Sequence, residues 1–180
     1  MIWQDLATDR LRLRALEDAD AGPITLYAGD ERVARMTTIP HPYPPGAAEA
    51  FIARARAQDV ELVWALDASG SGGAGFMGVI GYRPKTHLIG YWIGPPFWGQ
   101  GYTAEAARAL SDHVLRQGVD AVQGTTTVDN RASQRVFAKA GFSQTGTGQR
   151  FVVARDKLVD ILTYEKRALT SGAQGAKGVR

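Results

Sequence analysis

Gly90-Tyr91-Trp92-Ile93-Gly94-Pro95-Pro96-Phe97-Trp98-Gly99-Gln100-Gly101-Tyr102-Thr103-Ala104-Glu105-Ala106 runs from an apolar segment, through a turn holding two glycines, into alanine-rich sequence. Strand, glycine turn and helix opening in that order leave a row of backbone N–H groups without intrahelical acceptors, all aimed at one point. Gly99 and Gly101 let a ligand come close to the main chain. The positive end of the helix dipole favours negative charge there. A phosphate group suits such a place, so the stretch predicts a nucleotide-type ligand.

The elements around this turn follow from local patterns. Residues 88–93 read as the strand before it. Over residues 103–116, Ala106, Ala109, Leu110 and Val114 share one helical face and Arg108, Asp112 and Arg116 another, with Gly118 as the stop. Upstream, residues 60–66 and 76–82 read as hairpin strands across the Gly/Ser turn at 69–75. Alternation in residues 10–14 predicts a strand. Residues 17–27 and 47–57 predict helices, and the proline-rich segment 40–46 lies between them as a loop. Downstream, residues 121–128 are a β-branched strand, Asn130 caps a short helix that Gly141 ends, and residues 151–154 and 158–164 are the final strands. The fold class is α+β, a mixed and mostly antiparallel sheet with about four flanking helices. Residues 1–169 form one domain, and residues 170–180, rich in Gly, Ala and Ser, are expected to be disordered. A Rossmann-type nucleotide fold is disfavoured, because the strands ahead of the turn are hairpins rather than βαβ units.

Composition narrows the chemistry. The 180 residues are 44% hydrophobic and 22% charged, as in a globular domain. Cysteine is absent, which excludes disulfides, thiolate metal sites and a cysteine nucleophile. No metal is expected. No apolar run is long enough to cross a bilayer, and Met1-Ile2-Trp3-Gln4-Asp5 lacks the regions of a signal peptide, so a cytoplasmic location is expected. A net charge of +3, with no dense Lys/Arg cluster, argues against a nucleic-acid partner. Both a monomer and a homodimer fit the sequence.

Three stretches, in order, resemble the GNAT (GCN5-related N-acetyltransferase) superfamily, and within it the RimJ/RimL-like branch of ribosomal-protein N-terminal acetyltransferases. Thr8-Asp9-Arg10-Leu11-Arg12-Leu13-Arg14 is similar to the opening strand. Gly90–Ala106 is similar to the acetyl-CoA motif, and Asn130-Arg131-Ala132-Ser133 with Lys139-Ala140-Gly141-Phe142 to the next cofactor segment. The family's signature Gln/Arg-x-x-Gly-x-Gly/Ala falls on Trp98-Gly99-Gln100-Gly101-Tyr102-Thr103, departing at Trp98 and Thr103. The backbone does most of the phosphate work, so neither departure removes the anion site.

The resemblance implies transfer of acetyl from acetyl-CoA to a primary amine by direct attack in a ternary complex. The acceptor would be a protein N-terminal α-amine or a small-molecule amine. It implies a sheet splayed at the cofactor cleft, with main-chain groups around Trp92 and Ile93 holding the pantetheine arm and the thioester carbonyl. Trp98, Gly99, Gln100, Gly101, Tyr102 and Thr103 would take the diphosphate. Asn130 both caps its helix and meets the pantetheine arm. Ser133 is either a proton donor to the leaving thiolate, as the resemblance implies, or an ordinary exposed helix serine. Phe137 stands, beside the cofactor, where many relatives carry a tyrosine acid, and it cannot donate a proton, which raises Ser133.

The general base stays unassigned. His87 occupies the neighbourhood of a family glutamate and reads more readily as a solvated histidine at a strand end than as the base. Glu105 reads as a partner of the helix N-terminus. An α-amine, with pKa about 7.7–8.0, needs little help near neutrality, whereas a lysine at about 10.4 needs much more. Residues 30–46, including His41 and Tyr43, and the loop between the last two strands are expected to line the acceptor cleft. The alternative is a non-catalytic acyl-CoA-binding or regulatory module with the same fold.

Overall fold

The structure is a computed structural model describing residues 3–58, 60–73, 75–152 and 155–168. Its elements are β1 (Leu6–Ala7), β2 (Arg12–Arg14), α1 (Ala21–Ala28), α2 (Glu31–Ala34), α3 (Ala47–Ala57), β3 (Leu62–Asp67), β4 (Phe76–Arg83), β5 (Leu88–Ile93), α4 (Tyr102–Arg116), β6 (Ala121–Thr127), α5 (Arg131–Ala140), β7 (Ser143–Val152) and β8 (Lys157–Arg167). The eight strands form one open sheet in the order β1-β2-β3-β4-β5-β6-β8-β7. Every neighbouring pair is antiparallel except β5 and β6.

That exception positions the site. The parallel pair is held by two register positions only, Leu88↔Gln123 and Ile89↔Gly124. From Gly90 onward β5 stays with β4, while β6 continues along β8 as far as Thr127↔Ile161. The sheet therefore opens in a wedge between the C-terminal halves of β5 and β6, and the glycine turn follows at the end of β5.

Helices cover both faces. On one, α4 and α5 bury Leu110, Val114 and Phe137 against Trp64, Ile80, Ile89 and Val122. On the other, α1 and α3 bury Ile24 and Ile52 against Val63, Ala65 and Val79. β3 is buried on both sides, which is why it reads as an apolar run without alternation. Gly124 permits the closest packing of α5, since a Cβ there would come within 2.2 Å of the Phe137 ring. A buried ion network ties the first strands together: the Arg14 guanidinium donates to Asp20 at 2.9 Å and to Asp67 at 2.7 Å.

Several boundaries differ from expectation. The helix expected over 17–27 divides into a turn at Asp18–Asp20 and α1, with Pro23 in the first turn, where no intrahelical N–H is needed. The short β1 and α2 carry no periodic signal. β7 starts at Ser143 rather than near 151, because residues 143–149 form a mostly exposed edge strand of Gly, Gln, Thr and Ser without an apolar face. Val153 and Ala154, and the tail 170–180 expected to be disordered, lie outside the described residues.

Candidate active site

Gly99 and Gly101 adopt φ of +77° and +86°, the left-handed region that strains any side chain. The chain reverses through them, and α4 begins at Tyr102. Glu105 N–H is the first amide of the helix to find an acceptor, the Gly101 carbonyl at 3.1 Å. The N–H groups from Gly99 to Ala104 meet none among the described residues. Side chains brace this turn from behind rather than lining it. Trp98 Nε1 donates to the Ile93 carbonyl at 2.8 Å and Gln100 Nε2 to that of Pro96 at 2.9 Å. Arg10 donates to the Gln100 carbonyl at 3.0 Å and lies 4.5 Å from the centre of the Tyr102 ring. Glu105 anchors the assembly, accepting from Thr8 Oγ1 at 2.6 Å, the Arg10 amide at 3.0 Å and Arg10 Nε at 2.8 Å. Burial pushes its carboxyl up, but the Thr8 and Arg10 hydrogen bonds outweigh this and hold it below the usual range. Glu105 therefore has a bracing role, with all its contacts on the outer side of the turn.

Along β5 the main-chain groups alternate sides. The His87 carbonyl accepts from Gln123 N–H of β6 at 2.8 Å, whereas Gly94 N–H donates back to Met77 of β4 at 2.8 Å. Tyr91 and Ile93 share the parity of His87, so their amides point into the wedge. Trp92 shares the parity of Gly94, so its amide is turned to β4. Its ring packs on Phe76, with centroids 6.0 Å apart. Of the main-chain amides around Trp92 and Ile93, those facing the wedge are Tyr91 and Ile93; sequence reading did not single out Tyr91 because strand parity depends on which neighbour is present.

Tyr91 matters a second time. Its hydroxyl lies 2.7 Å from Ser133 Oγ, bridging β5 to the first turn of α5. Asn130 Oδ1 accepts from Ser133 N–H at 3.0 Å and so fixes that turn as its N-cap. Burial pushes the Tyr91 phenol up, and it stays protonated through the neutral range. Phe137 does not face the cleft. It is 1% exposed, stacked on Tyr164 at 4.8 Å and edge-on to Phe142 at 5.3 Å. Expected beside the cofactor, it forms the floor behind Tyr91, 5.6 Å from that ring.

His87 is exposed, at the end of β5 remote from the glycine turn, with Nδ1 2.7 Å from the Tyr82 hydroxyl. In the proline-rich lip Tyr43 is set against the α1/α3 core, while the other residues of 40–46 are exposed. Closer to the wedge, on the face away from α4 and α5, Glu61 lies over Gly81, the partner of Gly90, and meets Arg83 Nε at 3.5 Å. Arg150 reaches Thr125 on this same face, its Nη1 3.3 Å from Thr125 Oγ1. Neither Glu61 nor Arg150 stands in a motif; register alone brings them here. Among the described residues, no group of three or more His, Asp or Glu is placed to hold a metal, and no helix is long and apolar enough to cross a membrane.

A family model described as an acetyltransferase (GNAT) domain matches residues 10–143, which span both the glycine turn and the Asn130 helix. The chain belongs to the GNAT acetyltransferase family. The Bacillus subtilis (strain 168) protein called uncharacterized N-acetyltransferase YoaA is 25% identical over 168 residues, covering 88% of this chain and 94% of that protein. RimL, a ribosomal L7/L12 alpha-N-protein acetyltransferase solved with coenzyme A, superposes with TM-score 0.75 at 17% identity, over 91% of this chain and 98% of its own. Spermidine N-acetyltransferase from Vibrio cholerae, solved with CoA and spermine, gives 0.73 at 14% identity, over 89% and 96%. These two solved structures share the fold. This GNAT protein is an acetyl-CoA-dependent N-acetyltransferase, transferring acetyl to an amine. Its residues fit that donor: the row of amides without acceptors suits a diphosphate, and the wedge admits a pantetheine arm.

Proposed function

We propose that the main chain between Trp98 and Thr103 cups the diphosphate of acetyl-CoA, and that a primary amine, of a protein N-terminus or a small molecule, attacks the thioester directly in a ternary complex. The observation that carries this reading is the row of amides from Gly99 to Ala104 without acceptors among the described residues, at the end of a strand that has just parted from its neighbour. The Tyr91 and Ile93 amides donate along the pantetheine arm and to the thioester carbonyl as charge develops on it. Asn130 orients the first turn of α5. Ser133 protonates the departing thiolate and regains a proton from the amine nitrogen, which sheds one as the amide forms, while the protonated Tyr91 hydroxyl holds Ser133 Oγ in place. Thr103 supports the first helical turn behind the phosphates. RimL acts on a ribosomal protein and the Vibrio cholerae enzyme on spermidine by their names, so both acceptor classes occur on this fold. Among the described residues no carboxylate is fixed beside the Tyr91–Ser133 pair, and no general base is assigned. The location proposed is cytoplasmic.

The test is release of free thiol from acetyl-CoA by the purified chain in the presence of peptide N-termini and small amines, read with mass gain of the acceptor. Amine-dependent turnover is expected. Tight acetyl-CoA binding with no turnover of any amine would contradict it.

A further inference from the structure

We infer that the acceptor carries a carboxylate close to its amine, as a small α-amino acid does, and that Arg150 holds that carboxylate. The inference rests on the acetyl-transfer reading above and names the substrate class for that site. Arg150 lies on β7, opposite Val159 of β8, and its side chain crosses β8 to reach Thr125 of β6. Thr125 follows Gly124, the last residue of β6 paired with β5, so the guanidinium stands where the wedge opens. It is on the face away from Phe137, because that ring covers neighbouring Gly124 from the other side.

This guanidinium lacks what a structural arginine has. Its Nε is shielded from solvent and finds no hydrogen-bond partner among the described residues. No carboxylate pairs with it among them either. The charge that acts on it is of the same sign, Arg83, and burial together with that charge pushes its pKa down. The acids on this side are engaged elsewhere: Glu61 with Arg83, Asp129 with Arg155 at 2.6 Å, and Glu165 with Arg167 at 2.7 Å. A half-buried cation without a counter-charge is costly, and an anionic ligand relieves the cost. A polyamine would add to it.

The surroundings suit a small molecule. A Cβ at Gly90 would meet nothing within 4 Å, so the strand edge beside the wedge is open. Across the rim, Arg155 donates to the Arg35 carbonyl at 2.7 Å and to Asp129 at 2.6 Å, drawing α2, the turn before α5 and the β7–β8 turn together.

The experiment measures thiol release from acetyl-CoA with matched pairs, each an α-amino acid and its carboxamide, and with spermidine. The carboxamide has the less basic amine and is the better intrinsic nucleophile at neutral pH, so a preference for the acid runs against chemical bias. The acids are expected to show kcat/KM about tenfold or more above their amides. Arg150→Gln is expected to erase that gap by raising KM for the acids, with KM for acetyl-CoA unchanged, and Arg150→Lys to keep part of it. Amides turned over as well as acids, a preference for spermidine, or an Arg150→Gln effect on acetyl-CoA alone would overturn the carboxylate site and leave the acetyltransferase standing. No turnover of any amine, with acetyl-CoA bound, would overturn both.

Discussion

The two sides of the wedge are built by different means. On the donor side, the glycine turn and the start of α4 present backbone amides, and the side chains of Trp98, Gln100, Arg10 and Glu105 hold that backbone from behind. On the side proposed for the acceptor, the groups on offer are side chains, Arg150, Glu61 and Arg83, delivered by segments far apart in the sequence. A donor whose diphosphate never varies is served by main chain, which substitution at neighbouring positions leaves in place. Acceptors that vary from one enzyme to another are served by side chains, which one mutation changes.

If the division is right, changes behind each side act differently. The largest effect is expected from Phe137→Ala. Emptying that core position removes the floor under Tyr91 and stabilisation of about 3–5 kcal/mol, read as a lower midpoint in denaturant. A loss well under 1 kcal/mol would mean that Phe137 is not the packing residue described. Next is Gly101→Val. A β-branched side chain at φ +86° strains the turn and disorders its amides, at about 3 kcal/mol or roughly 100-fold in Kd for acetyl-CoA. Isothermal titration checks this, with thermal stability as the control for folding.

Ser133→Ala sharpens the comparison at the wedge itself. Loss of a proton donor is expected to lower kcat about 100-fold while acetyl-CoA affinity holds. Equal turnover in the variant would remove Ser133 from the chemistry. The smallest effect concerns Glu105. Its native carboxyl titrates below the ordinary value, so wild type should be more stable than Glu105→Gln at neutral pH. That advantage, under about 1 kcal/mol, should fade as pH drops below about 4.3 through the lowered native value. Melting curves of both proteins between pH 3 and 7 test it, and a difference independent of pH would exclude the charged contacts with Thr8 and Arg10.

The same division explains what could be read from the chain alone. The glycine turn, α4 and the Asn130 cap are local, each specified by residues within a few positions, and the structure has them where the pattern predicts. The direction of the Trp92 amide and of the Phe137 ring was not legible, because parity on β5 and the direction of a ring on α5 depend on what lies alongside. Arg150 was invisible for a stronger reason. It belongs to an edge strand without apolar alternation, and only the β7–β8 register carries it to Thr125.

The most direct measurement is a crystal structure of this protein with acetyl-CoA. The account predicts the diphosphate oxygens within hydrogen-bonding distance of the amides between Gly99 and Ala104, and the thioester carbonyl beside the Tyr91 and Ile93 amides. A diphosphate bound elsewhere, with those amides facing only water, would contradict it.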